Sequence, residues 1–323
     1  MVSIAEHLTD LPQMMADMCV PGVSIAHPHS AQTAETATFG VMRAGWASPV
    51  ARETVFQAAS ISKPVFAYVV CSLVEEGVLD LDRPLSLYGA EPFVIDDPLL
   101  EQVSARHVLS HTTGWPNWRP KGEPLVREAA PGERYGYSGE GFVYLQRVVE
   151  HFTGQDLEAL ARARVLEPLG MRSSSFGWPA DGDPLLATGH DARGTPLDQR
   201  QPESPNAAYS LHTTATDIGT FIAALLRGAS TAMLVPQVLV NDHVSWSLGW
   251  GLETSRGTGH AFWHWGDNPG YKSFAIGLLD AGTGAVVMTN ADGGRPLCAW
   301  VVQRLLGTDH PALDWLARRY QHG

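Results

Sequence analysis

The sequence predicts an α/β chain of the α+β type, with an antiparallel sheet built from both chain ends, helices flanking it, and a mainly helical region inserted between the ends. Strand-like patterning is confined to the beginning and the end of the chain. The stretch from about Leu85 to Gln201 reads instead as short helices joined by proline- and glycine-rich loops. A chain that enters and leaves its sheet in this way makes one α/β unit with an insertion. Residues 1–80 and 207–323 are expected to form the sheet part and residues 81–206 the insertion, with a cleft between them.

Each element has its own signal. Ile4 to Cys19 reads as a polar helix, and Pro21-Gly22 marks a change of period before two strands, Val23 to Ala26 and Thr36 to Met42. Ser62 to Glu76 is an apolar helix closed by Gly77. Leu99 to Leu109, Gly141 to Phe152 and Leu157 to Val165 carry helical periodicity, and Thr214 or Thr216 caps a helix running to Arg227. Strand character returns at Phe262 to Gly266, Tyr271 to Leu279 and Gly284 to Asn290, with Asp280 to Thr283 as a hairpin turn. Helices at Arg295 to Leu306 and Ala312 to Tyr320 follow.

Composition removes several function classes. The 323 residues carry a formal net charge of −12 and no basic run, which argues against nucleic acid or an anionic membrane surface as partner. Cys19, Cys71 and Cys298 are too few and too scattered for a disulfide framework or a thiolate metal site. No secretory leader and no membrane-length apolar run is visible, so a cytoplasmic protein is expected. Oligomeric state is left open.

The chemistry is centred on Ser60-Ile61-Ser62-Lys63-Pro64. Ser60 and Lys63 are three apart, so a helical turn brings their side chains onto one face. A serine hydroxyl needs a base, and a lysine drawn into a dry pocket can serve once its pKa falls. The chain has only three lysines, which cuts the chance expectation for such a pair to roughly 0.2. Pro64 fits a first helical turn, and the helix is expected to start at Ser60 itself.

Three further stretches can reach such a centre. Tyr137, in a loop before the Gly141 helix, can present its hydroxyl to a cleft, and a neighbouring cationic lysine would lower its pKa toward general-base use. At the end of a strand, Gly266 lets a substrate lie close to the backbone, and His264 beside it can meet a substrate oxygen or relay a proton. Trp115, Trp118 and Trp265 suggest an aromatic-walled cleft for an apolar acyl or alcohol group. His107 with His111, and His260 with His264, have a spacing that binds zinc on a helix, but neither pair has the glutamate of a metallopeptidase motif. Neither metal nor cofactor is expected, and His111 is assigned to fixing its loop by hydrogen bonds.

Taken in order, Ser60-Ile61-Ser62-Lys63, Tyr137-Ser138-Gly139 and His264-Trp265-Gly266 resemble the active-site elements of the class C β-lactamase-related serine hydrolases. That group includes penicillin-binding DD-peptidases, D-aminopeptidases, β-lactamase-like esterases and some acyltransferases. Leu109 to Gly114, Glu167 to Met171 and Leu248 to Gly251 resemble three more of its segments, so the likeness runs from about Pro21 to Leu306. It implies a β-lactamase/transpeptidase-like fold in which Ser60 is acylated and Lys63 and Tyr137 share the proton transfers. It also implies that the backbone N–H groups of Ser60 and Asp267 form the oxyanion hole.

Two departures bear on the substrate. His264-Trp265-Gly266 stands where penicillin-recognising members have Lys-Thr-Gly, and Gly139 stands where an asparagine is usual. The first removes a permanent carboxylate anchor and the second a side-chain amide. Hydrolysis of a small ester or amide is therefore expected ahead of efficient β-lactam hydrolysis. β-Lactamase, D-aminopeptidase or DD-peptidase activity, acyl transfer, and a binding protein that has lost its chemistry stand as alternatives. An α/β-hydrolase lacks support, because no Gly-x-Ser-x-Gly elbow is present.

Overall fold

The computed structural model describes residues 4–30, 32–91, 97–179, 183–198 and 201–320. Two strands come from the N-terminal end, β1 (Gly22–His29) and β2 (Gln32–Gly40). A short pair, β3 (Phe56–Gln57) and β4 (His212–Thr213), ties together the two points where the chain leaves the sheet region and returns. The C-terminal end supplies β5 (Val238–Leu239), β6 (Val244–Trp246), β7 (Gly251–Ser255), β8 (Gly259–Asn268), β9 (Tyr271–Leu278) and β10 (Thr283–Thr289). The main sheet has eight antiparallel strands in the order β2-β1-β10-β9-β8-β7-β6-β5, so the first strand of the chain pairs with the last.

The inner strands are buried on both faces, and their side chains divide accordingly. On β10, Val286 and Met288 join the core cluster that holds helix α3 (Ala215–Leu226), whereas Ala285 and Val287 join the one that holds α4 (Gly294–Leu306). Side chains two apart share a face, so a continuous apolar run serves two helical layers at once. The remaining long helices are α1 (Ser62–Glu75) and α2 (Gly139–Thr153), followed near the C-terminus by α5 (Pro311–Arg319). The Glu253 carboxylate on β7 latches α5 to the sheet, accepting from the Ala312 N–H at 2.7 Å and meeting His310 Nδ1 at 2.8 Å, with both side chains fully buried.

The structure corrects the sequence reading in detail. Ile4 to Cys19 is two helices, Ile4–His7 and Leu11–Asp17, because Pro12 opens a new first turn. Strands β5, β6 and β7 leave no sequence signal, being two, three and five residues long and too short to show a period. The helix expected at Leu157 to Val165 is α-helical only to Ala161 and then passes into a π-turn, Arg162–Leu166. No helix among the described residues is long and apolar enough to cross a membrane.

Candidate active site

Ser60 sits in a 3-10 turn, Ala59–Ile61, and α1 begins at Ser62, where its apolar pattern begins, rather than at Ser60 itself. The turn is held from two sides. Ser62 Oγ donates to the Ala59 carbonyl and accepts from the Leu211 N–H, and the Ala58 N–H donates to the Leu211 carbonyl. Ala59 has φ of 52°, a left-handed conformation that costs a non-glycine residue about 1–2 kcal/mol. Gly266 of β8 packs against this turn, and a Cβ there would lie 2.2 Å from the Ala58 carbonyl oxygen. Only glycine lets strand and turn approach so closely.

Lys63 lies one helical turn beyond Ser60 and is buried. Its Nζ donates to Ser60 Oγ at 3.0 Å and to the Ala208 carbonyl at 2.8 Å. It sits 4.8 Å from the centre of the Tyr137 ring and 5.7 Å from that of Phe142. Burial brings the Lys63 pKa down from 10.5 to about 7, so a large fraction of the amine is neutral at physiological pH.

Tyr137 faces the same hydroxyl, but not in the state expected of it. Its phenol is pushed upward in pKa by burial, with Ser60 opposing the shift only in part. The expected lowering by a cationic lysine fails because that lysine is itself dehydrated and partly neutral. The Tyr137 hydroxyl thus remains protonated, a donor rather than a base, and no hydrogen bond of ordinary geometry occupies it. His111 shapes this loop as expected: its Nδ1 accepts from the Ser138 N–H and its carbonyl from the Gly136 N–H, while its ring centre lies 4.2 Å from that of Tyr137.

Ser60 and Tyr137 open into a cleft of about 580 Å³ whose walls include Trp118, Tyr209, Trp265, Asp267 and Tyr320. Trp118 and Trp265 line it as expected, but Trp115 does not. Its indole is in the core, with Nε1 donating to Asp97 and Arg127 stacked over the ring. His264 is also corrected. It is fully buried, its ring stacked on that of Trp265 with centres 5.1 Å apart and lying 6.1 Å from the centre of the Tyr137 ring. Its Nδ1 meets the Trp265 carbonyl oxygen, and burial lowers its pKa to about 3, so it is a neutral packing residue rather than part of the cleft wall. The other candidate metal histidines are engaged too: His107 Nδ1 accepts from the Ser104 N–H, and His260 pairs with Asp280.

The sequence reading missed Asn117, Asn206, Tyr209, Asn268, Arg319 and Tyr320, all of which line the cleft. They come from loops, from the last residue of β8 and from the end of α5, and none belongs to a spaced motif.

Across residues 10–306 the sequence matches the family model described as Beta-lactamase. The chain belongs to the beta-lactamase family. Among its relatives in that family, esterase EstB of Burkholderia gladioli is 29% identical over 80% of this chain and 76% of its own length. Penicillin-binding protein 4 of Amycolatopsis lactamdurans is 25% identical over 85% of this chain and 81% of its own. A solved class C beta-lactamase has a TM-score of 0.81 at 20% identity, covering 95% of this chain and 96% of that one. An octameric penicillin-binding protein homologue from Pyrococcus abyssi has a TM-score of 0.79 at 22% identity, covering 95% and 78%. The chain is thus a beta-lactamase-fold member of a serine hydrolase family.

In this member of the beta-lactamase family, Gly139 does more than remove an amide. A Cβ at that position would lie 2.5 Å from the Trp118 ring, so the indole occupies the space a side chain would need. Gly139→Asn is expected to cost about 1–3 kcal/mol by overpacking, and Trp118→Ala in the same chain to restore most of it. Urea denaturation of both single variants and the double variant checks this; additive losses would mean that the two positions do not compete.

Proposed function

We propose that the protein is a serine hydrolase that cleaves a small ester or amide through an acyl-enzyme on Ser60. The observation that carries the reading is the 3.0 Å contact of Lys63 Nζ with Ser60 Oγ, made by an amine whose pKa lies at about 7. The neutral amine takes the Ser60 proton as the oxygen attacks the acyl carbon. The oxyanion forms toward the backbone N–H groups of Ser60 and Asp267, a pair of donors of the kind worth about 3 kcal/mol each to a transition state. The bond to the leaving group then breaks, and the protonated Tyr137 phenol hands its proton to the departing oxygen or nitrogen, recovering one from the Lys63 ammonium. Water repeats the sequence on the acyl-enzyme, releasing the acid and the free serine.

Trp118, Tyr209 and Trp265 support an apolar group on the substrate. The neutral His264 and the indole over Gly139 speak against efficient handling of β-lactams. Incubation with a fluorophosphonate is expected to add one adduct by intact mass, absent from Ser60→Ala. Turnover of 4-nitrophenyl butyrate is expected to exceed that of a cephalosporin by at least about 10²-fold in kcat/KM. An adduct that persists in Ser60→Ala removes Ser60 from the chemistry, and faster cephalosporin turnover reverses the substrate assignment. Product analysis with added amines or alcohols separates hydrolysis from acyl transfer.

A further inference from the structure

Two charged residues are among those lining the cleft, and they differ in how they are paired. Asp267 is neutralised by Lys272 and Arg295. Arg319 carries no ion pair among the described residues. Its guanidinium carbon lies 5.5 Å from the Tyr137 ring centre, 5.9 Å from that of Trp265 and 5.3 Å from that of Trp315. The guanidinium is thus within cation–π distance of three rings and has no carboxylate partner among the described residues, and an arginine so placed on the cleft wall can take a carboxylate through its N–H donors.

The support behind Arg319 is equally specific. The Glu253 latch holds the start of α5, and at its end the Tyr320 hydroxyl accepts from Trp265 Nε1 at 2.9 Å. Arg319 also lies beyond residues 10–306, the span of the family match. The cation is therefore delivered from a helix outside that span, in a chain whose strand motif offers only the neutral His264.

A basic residue at a helix C-terminus also complements the helix dipole. Arg318 satisfies that role equally, yet it lines a different cavity, with Asp309 and Asp314. Dipole complementation does not explain why its neighbour lines the cleft that holds Ser60.

We propose that Arg319 forms an anion subsite, and that the substrate carries a carboxylate near the ester or amide cleaved at Ser60. This rests on the acyl-enzyme reading above. The test uses two probe pairs. One is the 4-nitrophenyl ester of hemiglutarate against that of methyl glutarate, with the charge on the acyl side; the other is 4-acetoxybenzoate against its methyl ester, with the charge on the leaving side. The wild-type protein is expected to prefer the carboxylate member of at least one pair. Arg319→Gln should lower that preference, as a ratio of kcat/KM values, by about 10- to 30-fold. Arg319→Lys should keep part of it and Arg318→Gln all of it. A wild-type protein with no preference in either pair, or a ratio unmoved in Arg319→Gln, overturns the subsite.

Binding separates this result from a failure of the acyl-enzyme. Tryptophan quenching of the Ser60→Ala protein by glutarate monoanilide, against the anilide of methyl glutarate, requires no turnover. Preferential binding of the acid that is lost with Arg319→Gln sustains the subsite even if no fluorophosphonate adduct forms. Equal binding of acid and ester in this pair and in 4-acetamidobenzoate against its methyl ester, which puts the charge on the leaving side, rejects it even if the adduct does form.

Discussion

Lys63→Met is expected to lower kcat for a 4-nitrophenyl ester by about 10³-fold or more while leaving a folded protein. The methionine side chain keeps most of the volume and loses the amine, so Ser60 retains its place and has no base. In the wild-type protein, kcat/KM should rise about tenfold per pH unit below neutrality and level off above pH of about 7, following the neutral form of Lys63. The same lowered pKa makes a prediction about stability. The folded amine titrates at about 7 and the unfolded one near 10.5, so between these values the unfolded chain binds more protons and wild-type stability rises with pH. Below that window the whole cost of burying an ammonium is present. The stability difference should therefore shift toward Lys63→Met as pH falls from about 10 to about 7. Urea melts at several pH values measure it. A difference that does not move with pH, or a variant with near wild-type kcat, contradicts the role of base.

Gly266→Ala is expected to lower kcat by about 10²-fold, a large effect for a single methyl group. The added carbon would lie 2.1 Å from Ser273 Oγ and 2.2 Å from the Ala58 carbonyl oxygen, and the second contact is with backbone, which cannot swing aside as a side chain can. Relief requires β8 and the Ala59–Ile61 turn to separate, which moves Asp267 away from Ser60. Stability should fall by about 1–3 kcal/mol, with the midpoint of urea unfolding lowered and its slope retained. Wild-type kcat in a destabilised protein would show that this close approach serves packing alone.

Much of the centre was legible because it depends on local spacing. Ser60 and Lys63 meet through one turn of chain, and the three-residue interval already contains that fact. The two-ended sheet was legible too, since β8, β9 and β10 are long enough for their apolar content to register. Orientation was not. His264 and Trp265 are neighbours in the sequence with stacked rings, and only the packing of the folded chain around β8 decides that Trp265 lines the cleft while His264 is buried beside it. Trp115 and Trp118 are both loop tryptophans within two residues of a proline, and the Asp97 and Arg127 partners that hold Trp115 in the core lie well apart in the chain. The protonation of Tyr137 escaped for a related reason: proximity to a lysine implies proximity to a charge only while that lysine is hydrated, whereas shared burial raises the phenol as it lowers the amine. Arg319 and Tyr320 left no trace in any motif, because a helix far along the chain is folded back onto the cleft.

The indole of Trp118 lying over Gly139 also constrains how this protein can diversify. An amide at position 139 is blocked while the indole is in place, so a lineage acquiring one would need the aromatic ring to be trimmed or displaced first. The reverse order passes through an overpacked intermediate. The order in which the two positions are changed should therefore matter to the stability of the intermediates.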